Sequence, residues 1–292
     1  MVSSIVGNYL MEKGLLTGEQ FRDILNEQQK VRVKLGLIAV AEGLMTQEEA
    51  DRVNQLQAVM DRRFGDIAVE KGYLTEGQVN SLLKKQGNAY LAFAQAMENQ
   101  QLMTIEQLEQ ILLDYRCENN FTASDMDALK SDDVDSILPL FLPVDSEAYY
   151  GIAGTAVLMR LVATGIYPDK AYIMQKTEDE NGALQKVEGE KGFVSALGGK
   201  GNALQFTASV FGQEEFVSVD EDALDAIGEL LNCINGLYVS ECKDGSSLEL
   251  MPPSFKTGIQ GFESRKMLVL PIHIKNDCVD LMIAIGDEIE MK

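Results

Sequence analysis

The sequence predicts two domains of different class: an all-α repeat domain, followed by an α+β domain with an antiparallel sheet and two long helices. A repeat with a constant step of 29 residues in the first part favours the all-α domain. Strand-like segments mixed with two helical segments favour the α+β domain. The length of 292 residues also suggests two domains. We place them at 1–117 and 144–292, with an acidic linker at 118–143.

Composition excludes several classes of partner. The chain has 46 acidic and 25 basic residues and a net charge of −21, which disfavours polymeric nucleic acid and anionic lipid surfaces. It contains no apolar run long enough for a membrane span and no export-signal pattern at its start. The four cysteines form no C-x-x-C pair and His273 is the single histidine, so we expect no Cys/His metal site and a cytoplasmic protein with reduced thiols.

The repeat has a simple physical interpretation, in which each unit is a helix, a glycine turn and a second, capped helix. Four threonines mark equivalent positions: Thr17, Thr46, Thr75 and Thr104. Each precedes a Glu or Gln by three residues, the spacing of a capping box. A glycine three residues before the first three of them suits the end of the preceding helix. Such short helices bury their apolar faces against neighbouring units.

The two middle copies carry a more specific pattern. Lys34-Leu35-Gly36 opens a 24-residue stretch ending at Gln57, and Arg63-Phe64-Gly65 opens another ending at Gln86, with a five-residue spacer between them. This pattern resembles the MshEN domain of type II secretion ATPases, some of which bind cyclic di-GMP. The resemblance implies six candidate nucleotide-binding residues: Lys34, Gly36, Gln57, Arg63, Gly65 and Gln86.

A helical interaction module is the alternative interpretation of these repeats. Lys34 stands where the family has Arg, and lysine lacks the planar, bidentate group of arginine. The same glycine, threonine and glutamine residues would then serve turns, caps and packing. The interpretation of 118–143 as a linker rests on the acidic run at 131–136 and on Pro139 and Pro143, and we expect its apolar segment LPLFLP to dock on one domain.

The second domain is predicted from alternating helical and strand-like patterns. A first helix covers 147–165, ending before Pro168. A second covers about 219–242, with a capping box formed by Ser218 and Glu221. The predicted strands are 171–177, 192–198, 202–211, 248–253, 266–274 and 279–286. The segment KNDC at 275–278 suits a tight hairpin connection.

The second helix has two distinct faces at 100° per residue. Its apolar face consists of Leu224, Ile227, Leu231, Ile234 and Tyr238. The opposite stripe consists of Asp225, Glu229, Asn232 and Gly236, with Gly228 beside it. Such a stripe is commonly a solvated face. However, this one has no Lys or Arg for i,i+4 pairs, and each interior glycine costs the helix up to about 1 kcal/mol. These features favour a surface that a partner approaches closely.

The stretch D-x-x-x-E-x-x-N, formed by Asp225, Glu229 and Asn232, resembles the signature of the CheC/CheX/FliY chemotaxis phosphatases. The neighbouring glycines Gly228 and Gly236 make it most similar to CheX. The resemblance implies a phosphatase for phospho-aspartate on a CheY-like receiver domain. Asn232 would orient the attacking water, Glu229 would pair with the receiver's active-site lysine, and Asp225 would support docking.

The resemblance has further implications. The metal would be the receiver's own Mg²⁺, so the chain would need no cofactor. The first helix offers only Glu147 to Tyr150 and no E-x-x-N, so we predict one site per chain; CheX proteins are typically homodimers. Three hypotheses remain open: a phosphatase with regulatory or targeting repeats, a non-enzymatic receiver-binding adaptor, and a cyclic di-GMP receptor acting through the repeats.

Overall fold

A computed structural model of the chain describes residues 1–142, 147–159, 166–242, 247–274 and 277–292, without the side chains of 157–159. It divides into two compact units, Val2–Asp133 and Val134–Lys292. The first unit is helical and the second combines helices with an antiparallel sheet. This confirms the predicted fold classes.

The helices of the first unit recur with the period of the sequence repeat. Its helices are α1 (Val2–Glu12), α2 (Gly18–Gln28), α3 (Leu35–Ala41), α4 (Gln47–Met60), α5 (Phe64–Glu70), α6 (Glu76–Lys84), α7 (Ala89–Asn99), α8 (Ile105–Asn119) and α9 (Ala123–Ser131). The first eight form four consecutive pairs, as the period predicts. Short amphipathic helices are marginal alone, and here their apolar side chains, such as Ile38, Ile67 and Phe93, are fully buried.

The turns and caps of the repeat are confirmed. The capping boxes at Thr17, Thr46, Thr75 and Thr104 all have both reciprocal hydrogen bonds. Each box satisfies backbone N–H groups that a helix start leaves without partners. Gly14, Gly43 and Gly72 have φ between 66° and 76°, a region that glycine enters without steric cost.

The segment predicted as a linker, 118–143, is structured along its described part. It holds the end of α8, then α9, α10 (Val134–Ile137) and a 3₁₀ turn at Leu138–Phe141; Pro143 lies outside the described residues. Leu138 is fully buried in the core of the second unit, so the expected docking of LPLFLP is confirmed. Helix α9 begins with a further capping box, formed by Thr122 and Asp125.

The second unit contains three longer helices and nine strands among its described residues. The helices are α11 (Glu147–Met159), α12 (Ala203–Gly212) and α13 (Glu221–Glu241). The strands are β1 (Tyr167–Pro168), β2 (Tyr172–Lys176), β3 (Asn181–Glu188), β4 (Phe193–Gly199), β5 (Glu249–Leu250), β6 (Ser254–Thr257), β7 (Phe262–Ile274), β8 (Asp277–Ile285) and β9 (Glu290–Met291). The predicted end of the first helix, 160–165, and Lys275 and Asn276 of the predicted hairpin lie outside the described residues.

All strand pairs are antiparallel, in the order β1-β7-β8-β4-β3-β5. β2 and β9 also pair with β7, and β6 pairs with β3. Side chains alternate between two faces along each strand. One face, including Leu197, Leu270 and Leu281, packs with α11, α12 and α13 in a single apolar core. The sheet therefore packs against the apolar face of α13, while Asp225 and Glu229 of that helix are exposed.

Three local predictions are wrong. The segment 202–211 is helical, because Leu204, Thr207 and Ala208 recur at helical spacing and are buried together. The strand β3 was missed, because Gln185 and Lys186 interrupt its apolar pattern. Asp220, instead of Ser218 with Glu221, caps α13: its carboxylate accepts from the Ala223 N–H at 3.0 Å.

Candidate functional site

Helix α13 presents the candidate site. The Ser218 hydroxyl donates to the Asp220 carboxylate, which in turn caps the helix; these hydrogen bonds lower the pKa of Asp220, so the cap carries a negative charge where the helix dipole favours one. The predicted apolar face is correct. Leu224, Ile227, Leu231 and Ile234 are fully buried, and Tyr238 is half-buried against the same core.

The polar stripe faces outward at its acidic positions. Asp225 and Glu229 are exposed, and Asn232 is half-buried. Within the part of the chain that the structure describes, neither carboxylate has an ion-pair partner. Burial raises the pKa of the adjacent Cys233 thiol, and the negative charge of Glu229 adds to this, so the cysteine is not an activated nucleophile. Among the described residues, the stripe therefore offers a partner two carboxylates without an ion-pair partner and one half-buried amide.

The side chain of Asn232 is hydrogen-bonded to the sheet. Its Oδ1 accepts a hydrogen bond from Gln185 Nε2 on β3 at 2.7 Å. The same nitrogen of Gln185 donates to the Met251 carbonyl at 2.8 Å. The amide of Asn232 is therefore part of a wider hydrogen-bond network, whereas Asp225 and Glu229 are exposed.

The two glycines have different surroundings, and the prediction is corrected for one of them. Gly228 is buried, and a Cβ added there would lie 3.4 Å from two carbons of Pro253. The chain's own segment thus covers Gly228, so a partner does not approach the helix there. At Gly236 the nearest atom within 4 Å of an added Cβ is Leu250 Cδ2, at 3.9 Å, and this glycine leaves the backbone accessible beside the stripe.

Sequence reasoning missed the residues beneath the stripe. Gln185, Ser195 and Asn235 are each 0% exposed and hydrogen-bonded to one another. The available signal was a polar residue at an inward position of a strand, between Ala183 and Val187. Buried polar side chains need partners, so such a residue indicates a polar partner opposite, here on α13.

The candidate nucleotide-binding residues of the repeats are partly used by packing. A Cβ on Gly36 would lie 3.1 Å from the Phe64 ring, and one on Gly65 would lie 2.7 Å from Val79 Cγ1. Gln86 Nε2 donates to the Val33 carbonyl at 2.9 Å. Close packing between helices therefore accounts for Gly36 and Gly65, and a structural hydrogen bond accounts for Gln86.

The remaining candidate residues of the repeats lie at the surface. Lys34 and Arg63 precede α3 and α5 without capping them by side chain, and Gln57 is exposed. Nucleotide binding stays a prediction.

Within the described ranges, no group of three His, Cys, Asp or Glu side chains is placed to hold a metal ion together. Over the same ranges, no helix combines the length and apolarity that a bilayer crossing requires.

Comparison with known families locates a match in the second unit. Residues 182–272 match the family described as "Chemotaxis phosphatase CheX". The matched segment contains β3, β4, α12 and α13, and therefore Asp225, Glu229 and Asn232. The predicted resemblance to this family is thereby confirmed over residues 182–272, and the match does not include the repeats. No curated protein matches the chain.

Solved chemotaxis proteins are similar to about half of the chain. A CheX from Desulfovibrio desulfuricans is 15% identical, with a TM-score of 0.42, and the alignment covers 48% of this chain and 100% of that one. The CheX of a CheX–CheY–BeF₃–Mg²⁺ complex from Borrelia burgdorferi is 19% identical, with a TM-score of 0.39, and covers 48% and 97%. A FliY from Thermotoga maritima is 12% identical, with a TM-score of 0.33, and covers 47% and 84%.

Proposed function

We propose that the C-terminal unit, whose residues 182–272 match the CheX family, hydrolyses phospho-aspartate on a CheY-like receiver domain. The observation that carries the proposal is the arrangement on α13: the Asn232 amide, hydrogen-bonded to Gln185 of the sheet, lies one helical turn from the exposed carboxylate of Glu229. The Borrelia complex contains CheX with CheY, BeF₃ and Mg²⁺, and we take the same class of partner for this chain.

The reaction requires mainly positioning and electrostatics, because an acyl phosphate is already reactive toward water. Asn232 would enter the receiver's site and orient a water in line with phosphorus. A neutral amide can contact both the water and a phosphoryl oxygen, whereas a carboxylate would be repelled by the phosphoryl group. A glutamine has a comparable role in small GTPases.

Glu229 would fix the docking register by pairing with a lysine of the receiver. Its carboxylate has no ion-pair partner among the described residues, so pairing would break no existing contact. Asp225, one turn earlier and also exposed, would support the docked helix. The Mg²⁺ would belong to the receiver.

The test is dephosphorylation of a phosphorylated CheY-like receiver by the full-length chain. We expect wild type to accelerate phosphate release and Asn232→Ala to reduce kcat on the order of 10²-fold. Glu229→Ala should weaken binding of the BeF₃⁻-loaded receiver. Glu241→Ala is a matched control, because Glu241 is exposed on the same helix but lies away from the stripe. A wild type that binds the receiver without accelerating release would refute the phosphatase proposal and support an adaptor.

A further inference from the structure

A buried polar network lies between α13 and the sheet. Gln185 on β3, Ser195 on β4 and Asn235 on α13 are all 0% exposed, next to the apolar core that α13 forms with the sheet. Asn235 Nδ2 donates to Gln185 Oε1 and to Ser195 Oγ, both at 2.8 Å. Buried polar groups are costly unless they are paired, and every polar atom of the Gln185 amide has a partner here.

The direction of these hydrogen bonds is determined by one backbone group. The Met251 carbonyl can only accept, so the atom that Gln185 directs toward it, at 2.8 Å, is the amide nitrogen. Asn235 supplies the matching donor to Gln185 Oε1. The second hydrogen of Gln185 Nε2 therefore points to Asn232, which has to present its oxygen, at 2.7 Å.

This arrangement orients the Asn232 amide. With Oδ1 hydrogen-bonded to Gln185 on the sheet, the Nδ2 group is the part of the Asn232 amide left for a partner, since among the described residues it has no hydrogen-bond acceptor. One lone pair of Oδ1 stays available. Donation by Gln185 to the carbonyl oxygen also polarises the amide, which makes its N–H group a stronger donor.

We propose that Gln185 is a positioning residue, which holds Asn232 in one amide orientation and one rotamer for the hydrolysis of the phosphorylated receiver. The proposal rests on the proposed function. It assigns Asn232 Nδ2 to the phosphoryl group or the attacking water, and Oδ1 to Gln185. Gln185 itself is buried and does not touch the receiver. Misplacement of a reacting group by about 1 Å can cost on the order of 10²-fold in rate.

The first test compares kcat and KM for Gln185→Leu with wild type, using a phosphorylated CheY-like receiver. We expect kcat to fall roughly 10- to 100-fold, with KM and the affinity for the BeF₃⁻-loaded receiver within about twofold, because Glu229 and the exposed surface are unchanged. Leu270→Ala is the control for lost stability. Leu270 is 0% exposed in the same core but lies on β7, which β8 and β4 separate from β3. The Leu270→Ala variant should therefore have the same kcat per folded molecule as wild type.

The second test uses Gln185→Glu, which keeps the volume and serves if the leucine variant does not fold. A protonated carboxyl can donate to Asn232 Oδ1, whereas a carboxylate can only accept and would turn the Asn232 amide around. We expect the ratio of its kcat to that of wild type to fall as pH rises through the pKa of the new carboxyl, which burial raises.

The outcomes separate the two proposals. An inactive wild type overturns both. An active wild type whose Gln185 variants keep full kcat, or whose Gln185→Glu ratio is independent of pH, overturns the positioning role alone. A kcat loss in Leu270→Ala equal to that in Gln185→Leu would likewise overturn it, because destabilisation would then explain the effect.

Discussion

The two glycines of α13 permit a matched test of which part of the helix meets a partner. Gly228→Ala and Gly236→Ala introduce the same methyl group into the interior of the same helix. An added Cβ at Gly228 would lie in ordinary contact with Pro253, at 3.4 Å, and one at Gly236 would lie 3.9 Å from Leu250. Neither glycine has a positive φ. Both substitutions should therefore fit the folded chain.

We expect both variants to be more stable than wild type. Glycine is about 1 kcal/mol less favourable than alanine in a helix interior, and alanine also restricts the unfolded chain. For a unit of this size, a gain of about 1 kcal/mol raises Tm by roughly 2–4 °C. Thermal unfolding of the full-length chain, followed by circular dichroism, measures the change.

Binding should distinguish the two positions. Pro253 already covers Gly228, so Gly228→Ala should leave the affinity for the BeF₃⁻-loaded receiver unchanged. Gly236 lies one turn beyond Asn232 in the stripe, and an extra methyl in a close-packed interface costs about 1–3 kcal/mol, roughly a 5- to 150-fold rise in Kd. Equal affinity of wild type and Gly236→Ala would show that the receiver does not contact this end of the stripe. A loss of stability in Gly228→Ala would refute the packing argument at Pro253.

Two further predictions concern stability. Thr75→Ala should lower the free energy of unfolding by about 1 kcal/mol through loss of the α6 capping box, as measured by urea unfolding. Thr75→Ser keeps the hydroxyl and should be close to wild type. Equal stability of wild type and both variants would contradict the role of the cap. Burial, together with the nearby Asp179 carboxylate, raises the pKa of Asp280 to about 6, so its ionisation destabilises the folded state as pH rises from about 4 through 6. Asp280→Asn should match wild type near pH 4 and exceed its stability at pH 8 by on the order of 3 kcal/mol; a gain independent of pH would refute this.

Local rules were enough to predict much of this protein. The four capping boxes, the glycine turns and the apolar face of α13 each depend on residues within about one helical turn of each other. The motif formed by Asp225, Glu229 and Asn232 is also local; Asp225 and Glu229 are exposed as the wheel predicts, whereas Asn232 is half-buried against Gln185. These features follow from the sequence because their partners are neighbours along the chain.

Other features depended on contacts between distant segments. Gln185 lies at an inward position of β3. Burial of this polar side chain is favourable only because β3 pairs with β4 and because the side chain finds a hydrogen-bond partner on α13. Gly228 is adjacent to the stripe in sequence but is covered by Pro253 from another part of the chain. The sequence by itself predicted the motif of Asp225, Glu229 and Asn232 on α13, but not the buried Gln185 that contacts it. The tertiary structure decided how Asn232 is oriented and which glycine stays accessible, because hydrogen bonds and packing between segments set both.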